Sequence, residues 1–273
     1  MIKLIEKQLI GKRSDQTLCE DGIFIGDDFV AVIDGVTSKG KQVWKNKFTS
    51  GGYAKEIIIS ELENMPREID CEGFFARLDS AMNTAYKKDI INDDITEWLR
   101  ACIIVYSDYR KEIWQVGDCA LMINGTLFDN SKKIDTLLSE LRSFTIQKYL
   151  ADGGDENSLY TDDVGRKAIT PFINCQLSFE NKYDSDFGYA VLNGHGFDAC
   201  AVVKHPVLED DMIVLASDGY PVLCQTLEES EKALVDAVTN DPLCYKSNRG
   251  TKGIQQGYSS FDDRSYIKFK VGE

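Results

Sequence analysis

The chain has 273 residues, of which 43% are hydrophobic and 28% are charged, and its formal net charge is −14. This length is enough for a substantial hydrophobic core, and the sequence has no polar low-complexity run of the kind that marks disorder. The negative charge disfavours nucleic acid and anionic membranes as partners, whereas it is compatible with cation binding or simply with solubility.

Eight cysteines are present and none of them forms a CxxC pair, so neither structural zinc nor a disulfide framework is expected. Reduced thiols fit a cytoplasmic protein. The opening sequence MIKLIEKQLIGKR alternates apolar and polar residues, which is typical of an edge strand and not of a signal peptide. No stretch approaches the ~20 apolar residues of a membrane-spanning helix.

The remaining elements follow in chain order. Two apolar runs around Gly26-Asp27-Asp28 predict a β-hairpin, and helical spacing predicts two helices after it. A meander of three strands, two more helices, three strands, a helix with a capping box at Thr226 and Glu229, and a last strand complete the chain. The predicted ranges are 48–65, 73–88, 100–107, 112–118, 120–125, 134–150, 164–179, 187–194, 200–205, 211–219, 226–238 and 261–271.

Short turns between strands indicate antiparallel pairing, and grouped helices indicate separate layers. The sequence therefore predicts an α+β fold: a four-layer sandwich of two antiparallel β-sheets flanked by α-helices. We expect a single domain over residues 1–273, with a largely helical insert at about 125–186.

Acidic residues recur where predicted strands begin or end. Asp34 ends the run FVAVI, and Glu20 and Asp21 stand just before the strand that precedes it. In an antiparallel hairpin the start of one strand lies beside the end of its partner, so these three acids should share one sheet edge. If the last strands are neighbours, Asp218 and Asp262 share an edge by the same reasoning.

A single Asp-Gly after a strand is usually only a turn, but here the pattern is repeated, and Asp118 follows another apolar run. Several carboxylates at one edge repel each other unless they share cations. An all-oxygen set suits Mg²⁺ or Mn²⁺, and two histidines are too few for a three-histidine zinc site. Two such ions could bind a phosphoryl oxygen and activate a water for in-line attack.

The ordered motifs CEDG, VIDG, VGDC, LASDG and FDDRSY resemble those of the metal-dependent type-2C (PPM) serine/threonine phosphatases, over Cys19 to Val271. The resemblance implies a β-sandwich flanked by helices and two Mn²⁺ or Mg²⁺ ions per chain. It also implies that Asp34 bridges the two metals, that the Gly35 carbonyl binds one of them, and that Asp218 and Asp262 complete the other. By the same resemblance, Glu20 and Asp21 act through metal-bound waters. Asp118 matches the position of a third, weaker metal site.

The sequence departs from the family pattern at several positions. Val36 stands where the family often has a histidine proposed as general acid; His195 in a glycine-flanked loop is an alternative donor, although an exposed loop histidine is the simpler interpretation. Gln16 stands where the family has its phosphate-binding arginine, so Arg13, with Lys39, is the candidate for binding substrate phosphate. Asp263 replaces the usual Asn.

The favoured function is a metal-dependent hydrolase that removes phosphate from phosphoserine or phosphothreonine. One alternative is a catalytically weak metal-binding member used as a binding or regulatory module. Another is a phosphatase for a small phosphorylated metabolite. The partner is accordingly a phosphorylated protein or small molecule. The insert is a candidate substrate-selecting flap, and the basic loop 249–253 is a candidate contact for a phosphorylated substrate.

Overall fold

The computed structural model describes residues 2–40, 42, 44, 48–89, 94–128 and 130–272, so Met1 and Glu273, the ends of the predicted domain, lie outside it. Two antiparallel five-stranded sheets stack on each other. The first sheet has the order β2-β3-β4-β5-β8, with β2 Asp21–Ile25, β3 Phe29–Gly35, β4 Ala101–Ser107, β5 Glu112–Val116 and β8 Val203–Pro206. The second has the order β1-β10-β9-β6-β7, with β1 Ile2–Ile10, β6 Ala120–Ile123, β7 Thr126–Phe128, β9 Met212–Ala216 and β10 Arg264–Val271.

Five α-helices are described besides short 3-10 turns: α1 Ser50–Leu62, α2 Cys71–Asp89, α3 Lys133–Ala151, α4 Val164–Cys175 and α5 Leu227–Asn240. Thr226 caps α5 as predicted: the Glu229 N–H donates to Thr226 Oγ1 at 3.2 Å. The second bond differs from that of a capping box, because the Thr226 hydroxyl, and not its backbone N–H, donates to Glu229 Oε2, at 2.8 Å. Among the described residues, no helix combines the length and the apolar composition that crossing a membrane requires.

Side chains that alternate along β3 pack against the helices on one face of the first sheet and against the second sheet on the other. Ala31 and Ile33 pack with α1 and α2 on one face of the first sheet, while Val30 and Val32 pack against the second sheet on the other. Because side chains alternate along a strand, one apolar run serves two cores. A smaller cluster on the outer face of the second sheet includes Leu227 of α5. The predicted four-layer α+β sandwich is therefore confirmed.

Two expected strand arrangements are wrong. The meander is broken because β5 pairs with β4 and β8, whereas β6 belongs to the other sheet and pairs with β9 and β7. The chain leaves the first sheet at Gly117, whose φ of +81° is readily adopted only by glycine. Residues 187–194 do not form a strand; they make only isolated bridges, at Tyr189 and Leu192.

The helical insert is held to the rest of the chain by a buried arginine. Arg142 of α3 is 0% exposed. Its guanidinium donates to Asp163 Oδ2 at 2.7 and 2.9 Å, and to the carbonyls of Leu243, Cys244 and Gly250 at 2.8 to 3.0 Å. The loop that carries Gly250 is thereby attached to α3 and to the start of α4.

Candidate active site

Strand pairing brings the predicted acids to one end of the stacked sheets. Asp21 lies directly opposite Asp34 in the β2–β3 register. β9 and β10 are neighbours, so Asp218 follows one strand where Asp262 precedes the other. The two sheet ends meet, because Ser265 Oγ of β10 donates to Asp21 Oδ2 at 3.1 Å. The edge-sharing inferred from the hairpin and from the last strands is thus observed.

Asp118 reaches the same region because the chain crosses between the sheets there. A Cβ at Gly117 would lie 2.2 Å from Cys102 Sγ, so the crossing has room only for glycine. Cys102 is opposite Asp34 in the β3–β4 register. Asp118, one residue beyond Gly117, therefore stands near Asp34 at the seam of the two sheets.

The environment opposes full ionisation of the acids on β2 and β3. Desolvation, followed by the negative charges of Asp218 and Asp21, raises the pKa of Asp34 well above its ordinary value. Desolvation also raises the pKa of Asp21, and Asp262 and Asp218 raise it further. Such mutual repulsion is typical of carboxylates that share a cation.

The pKa of Asp218 is raised as well, although this residue is more exposed than Asp21 and Asp34. Desolvation within the site and the charges of Asp262 and Asp118 raise its pKa to about 7. The residue is nevertheless exposed on the side that faces solvent.

Lysines neutralise the remaining carboxylates. Lys12 Nζ lies 2.9 Å from Asp262 Oδ1, and Lys252 Nζ contacts Asp262 Oδ2. Although desolvation opposes the effect, these two cations lower the pKa of Asp262 to about 2. Lys132 Nζ lies 2.8 Å from Asp118 Oδ2 and lowers the pKa of that carboxyl in the same way, against desolvation.

Asp263, where the family usually has Asn, has a structural role. Its two carboxylate oxygens accept the backbone N–H groups of Lys12 at 2.8 Å and Glu20 at 3.0 Å. In this arrangement an asparagine would present its NH2 group, a donor, to one of the two backbone N–H groups and would lose that hydrogen bond. Asp263 thus holds the segment before β2 against the start of β10.

Glu20 is the clearest sign of an incomplete coordination environment. Its side chain is buried, and Oε2 accepts a hydrogen bond from the Thr37 hydroxyl. Oε1 has no hydrogen-bond partner among the described residues, although buried carboxylate oxygens are normally satisfied. A Cβ at Gly51 of α1 would lie 2.5 Å from the Gly35 carbonyl oxygen and 2.8 Å from Glu20 Oε1. The close approach of α1 thus depends on glycine.

The fit to divalent cations is uneven across the site. The oxygen donors of Asp21, Asp34 and Asp218, with the unsatisfied Glu20 oxygen, suit a hard cation such as Mg²⁺ or Mn²⁺. Within the described ranges, however, no group of three or more His, Cys, Asp or Glu side chains is arranged to hold a metal ion. At Asp262 the reason is visible, since lysine ammonium groups contact both of its oxygens.

Arg13 and Lys39, the residues expected to bind substrate phosphate, have different surroundings. Arg13 Nε donates to the Tyr258 hydroxyl at 3.0 Å, and its guanidinium carbon lies 5.5 Å from the centre of that ring. Lys39 is exposed; partial desolvation and then the charges of Arg166 and Lys252 lower its pKa. The assignments of Arg13 and Lys39 as substrate-binding residues stay predictions.

The structure shows the surroundings of Val36 and His195, the two positions that the sequence analysis considered for a proton donor. Val36 packs against the core between the sheets, so it contributes no acid there. His195 stacks on Trp98 with ring centres 3.5 Å apart, and Asp79 of α2 accepts the N–H groups on either side of it, from Gly194 and Gly196. The structure thus places His195 against the helix layer.

A cleft of about 680 Å³ opens above the carboxylates. Asp118, Asp218 and Asp262 lie in its lining together with Lys132 and Lys252, and α3 and the loop after Cys244 form its walls. Sequence reasoning missed the pairing of lysines with acids. Lys252 belongs to the basic loop 249–253, which the sequence did highlight, and Lys12 lies beside Arg13, but Lys132 carries no sequence signal.

Comparison with known proteins bears on the fold. No family model matches the chain, and neither does any curated protein. The catalytic domain of the serine/threonine protein phosphatase PstP, solved with two manganese ions, matches at 13% identity with a TM-score of 0.53 over 100% of both chains. The Mycobacterium tuberculosis serine/threonine phosphatase PstP/Ppp matches at 13% identity with a TM-score of 0.51, also over 100% of both chains. The chain therefore has the fold of the PPM serine/threonine phosphatases, as its motifs predict.

Proposed function

We propose that the protein is a metal-dependent phosphomonoester hydrolase of the PPM type that acts on phosphoserine or phosphothreonine in a protein. One observation carries the proposal: the acids predicted from five ordered motifs meet at one end of a sandwich whose fold is that of manganese-binding phosphatases. Asp34, the Gly35 carbonyl, Asp218 and Asp262 would hold the cations, with Glu20 and Asp21 outside them and Asp118 at a third position. When bound, the cations would polarise the phosphoryl group and acidify a water.

The chain's own residues would orient the substrate. A phosphate entering the cleft meets Lys132 and Lys252, whose positive charges offset the acids around them. Lys39 and Arg166 extend this positive region, and the guanidinium of Arg166 is positioned by a 2.9 Å hydrogen bond to the Thr251 carbonyl. These cations compensate locally for a chain of net charge −14.

A second candidate is a catalytically weak member that serves as a binding module. The lysine contacts at Asp262 favour it, because an ammonium group there occupies oxygens that a second cation would need. Val36 favours it as well, since that side chain cannot protonate a leaving group.

The decisive experiment is hydrolysis of an aryl phosphate with Mn²⁺, Mg²⁺ or EDTA, followed by tests on phosphoserine and phosphothreonine peptides. Asp34→Asn is the variant, and Asp27→Asn is the matched control because that exposed acid lies at the opposite end of the same hairpin. We expect metal-dependent turnover that Asp34→Asn abolishes and Asp27→Asn retains. Absence of turnover while Mn²⁺ still binds would favour the binding module, and absence of both would refute the metal site.

A further inference from the structure

Lys12 and Lys252 flank one carboxylate from opposite sides. Lys12 Nζ is 2.9 Å from Asp262 Oδ1, 3.5 Å from Asp263 Oδ2 and 4.0 Å from Glu20 Oε2, while Lys252 Nζ contacts Asp262 Oδ2. Both oxygens of Asp262 are therefore engaged by ammonium groups.

The backbone holds Lys12 in this position. Its N–H donates to Asp263 Oδ1 at 2.8 Å, and its carbonyl accepts the Ser259 N–H at 2.9 Å. The Lys12 side chain is 11% exposed. Its ammonium group is thus directed inward by hydrogen bonds on both sides of its Cα, unlike that of a surface lysine.

The backbone beside Lys252 is constrained as well. A Cβ at Gly253 would lie 2.5 Å from the Leu243 carbonyl oxygen, so the loop passes tightly over that residue. Buried Arg142 binds the carbonyls of Leu243, Cys244 and Gly250 in the same loop. The Lys252 side chain itself is 37% exposed at the cleft.

We propose that Lys12 and Lys252 act as built-in counter-cations for Asp262, so that the protein binds one divalent cation strongly at Asp34 and the Gly35 carbonyl and a second only weakly at the position that Asp218 and Asp262 complete. A divalent ion can reach Asp262 only by displacing an ammonium group from it. Since a unit positive charge a few ångströms away opposes a divalent cation even after screening by solvent, removing one lysine should tighten binding there. This inference rests on the proposed metal site but not on hydrolysis.

The test counts bound Mn²⁺ directly, by the electron paramagnetic resonance signal of the free ion and by calorimetry. The variants are Lys252→Gln and the double variant K12Q/K252Q, each also combined with Asp262→Asn. Lys246→Gln is the matched control: it removes the same charge from the same loop, but Lys246 pairs with Glu156 at 2.9 Å. Circular dichroism and thermal unfolding verify that each variant is folded.

We expect K252Q to bind its second Mn²⁺ at least tenfold more tightly than the parent, K12Q/K252Q more tightly still, and K246Q like the parent. The gain should vanish in combination with Asp262→Asn. Unchanged affinity for the second Mn²⁺ in both K252Q and K12Q/K252Q, or a gain that persists with Asp262→Asn, would overturn the inference. Failure of the proposed function is distinguishable, because the chain would then show the predicted Mn²⁺ response while hydrolysing no phosphomonoester.

Discussion

Replacing Arg142 with methionine should loosen the wall of the cleft. The guanidinium makes five hydrogen bonds, two to Asp163 and three to the carbonyls of Leu243, Cys244 and Gly250. Methionine preserves much of the side-chain volume, so the loss should come mainly from unmet polar groups and not from a cavity.

The magnitude follows from those contacts. Each buried carbonyl that loses its donor costs about 1 kcal/mol or more, and removing one partner of a buried ion pair typically costs about 3–5 kcal/mol in all. Because the Asp163 side chain is 20% exposed, water can partly replace the guanidinium there. We therefore expect Arg142→Met to lower the free energy of unfolding by about 3–4 kcal/mol.

Urea unfolding measures this loss, and hydrogen exchange locates it. The amides of Gly250 and Ile254, bonded to the carbonyls of Cys244 and Pro242, should lose protection before the sheets do. Arg249→Met is the control, because Arg249 joins the same loop to Glu140 of α3 by a surface ion pair and its side chain is 41% exposed. That change should cost no more than about 1 kcal/mol.

Equal stability of the Arg142→Met and Arg249→Met variants, with unchanged protection of Gly250 and Ile254, would refute this reasoning. The loop would then be held by its own turns, and the insert would be free to move without disturbing it.

Three further outcomes are expected. Burial and neighbouring carboxylates raise the pKa of Asp34 in the folded protein. Its ionisation therefore destabilises the metal-free fold increasingly as pH rises above the pKa that Asp34 has in the unfolded chain. Asp34→Asn should raise the metal-free Tm at pH 8, and Mn²⁺ should stabilise the parent more than the variant. Gly35→Ala should lower the free energy of unfolding by more than about 2 kcal/mol in urea titrations, because its Cβ would lie 2.3 Å from the Gly51 carbonyl oxygen; an alanine variant of parental stability would contradict that clash. Thr226→Ala should cost about 1 kcal/mol through loss of the two hydrogen bonds between the Thr226 hydroxyl and Glu229, and a Tm equal to that of the parent would show that α5 is held by packing alone.

Local patterns predicted much of what positions the site. The hairpin that sets Asp21 opposite Asp34 needs only two apolar runs and a short turn, both of which are contiguous in sequence. The shared edge of Asp218 and Asp262 could be predicted only on the condition that the last strands are neighbours, and β9 and β10 do pair. In each case one local rule places an acid at a strand end.

Pairings between distant segments could not be predicted in this way. A glycine turn such as Gly117 says that the chain bends, but not that the next strand enters another sheet. The partner of β5 on its other side is β8, about ninety residues later, and no sequence pattern specifies that choice. Lys132 and Lys252 reach the acids from the insert and from a late loop, so their role depends on the assembled tertiary structure.

The bonds between Lys12 and Asp263 have a consequence for folding kinetics. The two residues are 251 positions apart, and the strands beside them, β1 and β10, pair along nearly their full length. Closing so long a loop carries a large entropic penalty and slows the formation of the contacts that depend on it. Binding of Mn²⁺ during refolding should therefore lag behind formation of the β2–β3 hairpin, which makes the ion a reporter of the final docking of the first strand on the last.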